Sequence, residues 1–143
     1  AIDRDSSLVL QERANGHRVF YGDGRKPDVL RSVGVADARL VIVTVNDFEA
    51  TEGIVAALHR GYPNVTILAR GHNATQCQAL RKLGARLAIS ENLEASLDLA
   101  REALAHEFVG AKRTEALLRR FREDYYAEFD ATSAQEPPSS PRS

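Results

Sequence analysis

Two short apolar runs near the start of the chain end in an aspartate. They are Ala1-Ile2-Asp3 and Val19-Phe20-Tyr21-Gly22-Asp23-Gly24, and a helix-like segment follows each. Carboxylates at the carboxyl ends of parallel strands are where dinucleotide folds grip ribose and base. The glycine-rich phosphate turn of such folds lies about 20 residues before the ribose acid. Here the sequence opens at the acid, so the first strand and its turn are expected to be missing and the chain to be a piece of something longer.

The remaining pattern continues the alternation. Asp5 or Ser6 can cap a helix over Ser7–Ala14, which Gly16 ends. Arg18–Tyr21 reads as a strand, and Pro27 opens a short helix closed by Gly34. Leu40–Val45 is unbroken and largely β-branched, as a strand buried on both faces would be. Asn46-x-x-Glu49 has the form of a capping box and opens a helix to about His59. Val65–Ala69, a helix from Ala74 to Gly84, and Leu87–Ile89 complete the series. Strands alternating with helices predict an α/β, Rossmann-like parallel sheet. In the usual order the missing strand lies between those ending at Asp3 and starting at Leu40. The chain alone is therefore expected to be poorly stable, or to pair those two strands directly.

Two amphipathic segments follow the sheet. Leu93, Leu97, Ala100, Leu104 and Phe108 share one helical face, and Gly110 breaks the run. Leu117 or Leu118, Phe121, Tyr125 and Phe129 form a second stripe. The first helix can pack on its own domain; the second is expected to make a dimer or inter-domain contact. Residues 1–92 thus read as a partial nucleotide-binding domain, 93–130 as assembly helices and 131–143 as a disordered tail.

Several classes are disfavoured. The net charge is −1, which gives no electrostatic case for nucleic acid. Arg119, Arg120 and Arg122 alternate with Glu115, Glu123, Asp124 and Glu128, as on a solvated helix face. The four histidines show no metal-ligand spacing, and the single Cys77 shares a helix face with Leu80, as a core residue would. No catalytic motif is evident. The candidates are binding groups. Asp3 can accept from a ribose diol or merely cap the next helix. Asp23, flanked by Gly22 and Gly24, can accept from an adenine amino group or serve as a turn acid. Asn46 and Asp47 can cap a helix and still face the crevice above the sheet. Arg70 and Glu91 end strands, where they can be solvated edges or contact a ligand.

These blocks resemble the TrkA-N (KTN or RCK-N) regulatory domain, in the version found in Kef-type cation:proton antiporters. The resemblance rests on Ile2-Asp3-Arg4-Asp5, Val19-Phe20-Tyr21-Gly22-Asp23, Val29-Leu30-Arg31-Ser32-Val33-Gly34, Ile67-Leu68-Ala69-Arg70, Leu83-Gly84-Ala85 and Glu91-Asn92-Leu93-Glu94-Ala95-Ser96-Leu97. It implies a non-enzymatic domain that binds AMP or NAD(H), dimerises, and gates a transmembrane antiporter domain upstream in the same polypeptide, at the cytoplasmic face of the inner membrane. By this resemblance Asp3, with Arg4 beside it, takes the ribose role and Asp23 the adenine role. Asn46 and Asp47 line the crevice, with Arg70 and Glu91 near it or at the dimer contact. Gly24 stands where the family usually has Ala. Where glutathione-gated members carry a second Arg and an Asn, this chain has His72 and Arg122, which implies a plain nucleotide sensor. The alternative is a fragment of an NAD(P)-dependent oxidoreductase with the same sheet.

Overall fold

The computed structural model describes residues 1–133, with side chains described through Ala127. The order is β1 (Ile2–Asp3), α1 (Ser6–Ala14), β2 (Phe20–Tyr21), α2 (Pro27–Ser32), β3 (Leu40–Val43), α3 (Phe48–Gly61), β4 (Thr66–Gly71), α4 (Ala74–Lys82), β5 (Leu87–Ser90), α5 (Glu91–His106) and α6 (Ala111–Ser133). Strand–helix alternation is as the sequence pattern predicts. The strands are shorter at β1, β2 and β3 than expected and longer at β4 and β5. Of the tail expected over 131–143, residues 131–133 close α6 and the rest lies outside the described residues.

The strands form two sheets, with parallel pairing in each. β1 pairs with β2 in the register Ile2↔Phe20 and Asp3↔Tyr21. β3, β4 and β5 form a second sheet in that order, with Leu40↔Thr66 through Val43↔Ala69 in register. Direct pairing of β1 with β3, one of the expected outcomes, is not made.

The expectation that β3 is buried on both faces is also overturned. Val43 is buried, but Leu40 is exposed and Ile42 is 63% exposed. β5 alternates in the same way, with Ala88 buried and Leu87 exposed. A continuous apolar run records that both faces tolerate burial. Whether both are covered depends on which helices arrive, and among the described residues one face stays open.

Helix ends follow local rules. Asp5 caps α1, accepting from Ser7 N at 2.9 Å and Leu8 N at 3.1 Å. Gly16 and Gly34 take positive φ after α1 and α2, where glycine avoids the Cβ penalty. The cap of α3 corrects the sequence reading. Asp47, not Asn46, is the N-cap, and it accepts from Ala50 N at 2.9 Å. The third helical position is then Ala50, so Glu49 cannot close a capping box.

The chain divides into two compact units, Ala1–Ala69 with Leu80–Ala88, and Arg70–Ala79 with Ile89–Ser143. In the first, Val9, Leu30, Val43, Val55, Leu58, Ile67 and Leu80 are buried. Fully buried Thr51 donates its hydroxyl to Val45 O at 3.0 Å and Asp47 O at 2.9 Å, fixing the β3–α3 connection.

In the second unit α5 and α6 pack on each other. Leu93, Leu97 and Leu118 are buried there, with Ala100, Leu104, Tyr125 and Tyr126 packed around them. The Tyr126 hydroxyl accepts from Ser90 N at 2.9 Å and that of Tyr125 from Ala74 N at 3.3 Å. Leu118 and Tyr125 therefore serve the chain's own packing, not the outside contact expected of them. Phe121 remains 59% exposed and Leu117 is exposed; the side chain of Phe129 lies outside the described residues. Phe108 leaves the α5 stripe altogether. The helix ends at His106, and Phe108 sits at φ 57° and 96% exposed. Once the backbone turns left-handed, helical spacing no longer places it.

Candidate functional site

The first group of candidate residues gathers at the carboxyl ends of β1, β2 and β3. Asp3 ends β1 and is half-buried. One of its carboxylate oxygens accepts from Asp5 N at 2.8 Å, and the other has no partner among the described residues. The role of helix cap, which Asp3 could have filled, belongs to Asp5. β2 brings its own end alongside, because Gly22 N donates to Asp3 O at 2.9 Å.

The glycines around Asp23 are required by packing. A Cβ on Gly22 would lie 2.7 Å from Val29 Cγ1, and one on Gly24 would lie 3.3 Å from Ile54 Cδ1. Gly22 thus lets α2 close over the end of β2. The contact at Gly24 is tight but tolerable, so alanine is not excluded there.

Asp23 itself is not an open acceptor. Its Oδ1 accepts from the Arg25 backbone N and Nε, both at 3.0 Å, and its Oδ2 from Arg25 Nη2 at 2.7 Å. The Arg25 side-chain bonds, with the backbone N–H, hold the Asp23 carboxyl well below the usual carboxylate range. The charge of exposed Arg4 acts on Asp23 in the same direction. Asp47 and Glu49, at the start of α3, add smaller attractions to Arg25 beyond that of Asp23. Asn46 and Asp47 are exposed in the β3–α3 connection, two residues before α3 and at its cap.

A second group lies in the other unit. Glu91, the first residue of α5, bridges Arg70 Nη1 at 3.1 Å and His72 Nδ1 at 2.7 Å. Asn92 N and the Ser90 hydroxyl both donate to His72 O, at 3.3 and 3.2 Å. Arg70 and Glu91 are therefore joined to each other, with His72 as the third member. Arg122 forms a two-pronged pair with Glu94, at 2.9 and 2.7 Å.

Arg25 was not singled out in the sequence, and His72 only as a departure from the glutathione-gated pattern. Arg25 lies two positions after Asp23 in a turn, and that spacing is the signal by which it could have been found. His72 and Glu91 are 19 positions apart, and no local pattern links them. Among the described residues no group of His, Cys, Asp and Glu could hold a metal ion, and no helix is long and apolar enough to cross a membrane.

Residues 1–91 match the TrkA-N domain. The chain belongs to the TrkA-N family. It is 30% identical over 121 residues to a glutathione-regulated potassium-efflux system protein of Haemophilus influenzae, which covers 85% of this chain and 20% of that protein. The chain thus spans about a fifth of that relative's length. Its fold is similar to that of the Shewanella denitrificans Kef C-terminal domain in its AMP-bound form, with a TM-score of 0.76, 20% identity, and 95% and 97% of the two chains covered. It is also similar to the GsuK channel bound to NAD, at 31% identity and a TM-score of 0.54, over 62% of this chain and 16% of that one. Family membership accounts for the α/β order of this TrkA-N domain.

Proposed function

We propose that this TrkA-N domain is a regulatory, non-enzymatic sensor of an adenine nucleotide, AMP or NAD(H), that gates potassium/proton antiport. The observation that carries the reading is the Asp3 carboxylate. It is half-buried at a parallel strand end, relieved of capping by Asp5, and retains an oxygen for a ribose diol. Asp23, Gly22 and Gly24 lie on the adjoining strand end for the base, with Arg4, Asn46 and Asp47 around them. Arg70 and Glu91 contribute near the ligand or at a contact between copies. The AMP- and NAD-bound relatives support the choice of ligands.

On this reading residues 1–92 hold the nucleotide and helices 93–130 carry assembly as a homodimer. The transporter is a transmembrane domain upstream in the same polypeptide, which places the sensor at the cytoplasmic face of the inner membrane. Exposed Phe121 and Leu117 on α6 are among the apolar groups available for assembly. His72 and Arg122, committed to Glu91 and Glu94, favour a plain nucleotide sensor over glutathione gating.

Calorimetric titration of AMP, NAD and NADH against the full chain, wild type and Asp3→Ala, tests the reading. Each charge-assisted bond to ribose is worth about 1.5–3 kcal/mol. The variant should therefore bind roughly tenfold to a hundredfold more weakly. Equal affinities would reduce Asp3 to a turn-former.

A further inference from the structure

The base-facing carboxylate of this site already has a partner. A carboxylate offers about four acceptor positions. Asp23 has four contacts, all from Arg25: the backbone N and Nε on Oδ1, and Nε and Nη2 on Oδ2. The arginine is seated as well as paired. Its Cγ and Cδ lie against Gly53 in α3, where a Cβ would stand 3.3 and 3.2 Å from them. The missing side chain of Gly53 leaves the space that the arginine stem occupies. The pair is not sealed from solvent, since the side chains of Asp23 and Arg25 are 18% and 43% exposed. A bound molecule can therefore contest it.

We propose that Arg25 is a specificity-determining residue of this site, competing with the exocyclic amino group of a purine for the Asp23 carboxylate. The inference rests on the nucleotide reading above. A charge-assisted bond is roughly twice as strong as a neutral one, so a neutral amino group does not displace the guanidinium without loss. Affinity for an amino-bearing base is then reduced by the fraction of molecules in which Asp23 is released. While Arg25 holds Asp23, the edge presented to the ligand consists of the remaining guanidinium N–H donors. Those match a carbonyl, as at position 6 of hypoxanthine. With Arg25 removed, the carboxylate faces the base, accepts from the adenine amino group and repels that carbonyl.

AMP and inosine monophosphate differ at this position and share ribose and phosphate. Both would be titrated calorimetrically against the full chain as wild type, Arg25→Ala and Gly53→Ala. Wild type should not favour AMP over inosine monophosphate. Arg25→Ala should tighten AMP, weaken inosine monophosphate, and raise their affinity ratio by about tenfold, a modest value for a partly solvated hydrogen-bonding site. Gly53→Ala keeps the arginine but crowds its stem, so the ratio should move the same way by less. In an Asp23→Ala background, Arg25→Ala should change the ratio less than in the wild type, because no carboxylate is released to the base. An unchanged ratio on removing Arg25 from the wild type, or weaker AMP binding, overturns the inference alone. If neither nucleotide binds wild type or any variant, the nucleotide reading fails and this inference falls with it.

Discussion

Replacing Gly22 by alanine tests how the end of β2 is built. The new Cβ would lie 2.7 Å from Val29 Cγ1 and 3.3 Å from Cγ2. Carbon atoms in good contact are about 3.5–4.0 Å apart, so the first contact overlaps by roughly 0.8 Å. Val29 is half-buried on the short helix α2, whose next residue, Leu30, is buried. The helix cannot retreat without uncovering Leu30. Overpacking of this size costs about 1–3 kcal/mol. Val29→Ala removes both clashing methyls and should by itself cost about 1 kcal/mol. In the double variant the clash is gone, so it should be more stable than the sum of the single changes by about 1–2 kcal/mol. The chain has no Trp, so urea unfolding followed by far-ultraviolet circular dichroism is the suitable assay. Additivity within about 0.5 kcal/mol, or a Gly22→Ala chain as stable as wild type, would refute the packing argument. It would leave close approach to a ligand as the reason for glycine.

Other outcomes follow from the same geometry. Gly84 has φ 114°, and a Cβ there would fall 2.3 Å from His59 Cγ, whereas Gly16 at φ 85° faces open space. Gly16→Ala should cost about 1–2 kcal/mol and Gly84→Ala distinctly more, with His59→Ala recovering part of the second loss; equal losses in urea unfolding would contradict this. Phe121→Asp should abolish self-association of the full chain in sedimentation while leaving AMP affinity nearly unchanged, since Phe121 is exposed on α6; a dimer indifferent to this change would locate the contact elsewhere. The Asp23 carboxyl is held low by Arg25. Its contribution to stability is therefore complete above the ordinary aspartate pKa and is lost only as pH falls toward the depressed folded value. Carboxyl nuclear magnetic resonance should find Asp23 ionised at pH 4 in wild type and titrating higher, closer to ordinary values, in Arg25→Ala, which keeps the backbone N–H.

Local chemistry alone settled much of this domain. Alternating strands and helices, the glycines that end α1 and α2, and proline at the start of α2 act through neighbours a few residues away, so their spacing is visible in the chain. The acids at the ends of β1 and β2 were visible for the same reason. Long-range contact decided the rest. Leu40–Val45 has the composition of a two-sided core strand, yet only the arrangement of helices determines that Ile42 stays uncovered. Helical periodicity put Leu118 and Phe121 on one stripe, but packing against Leu93 and Leu97 of α5 buries the first and leaves the second exposed. Gly22 and Gly53 read as loop and helix glycines; their purpose lies in Val29 and in the Arg25 stem, which reach them only in the folded chain. Asp23 could be recognised as a strand-end acid from sequence. That both its oxygens are held by Arg25 depends on a side-chain rotamer and on the groove of α3. A hydrogen bond has a direction and a partner in space, and the order of residues specifies neither.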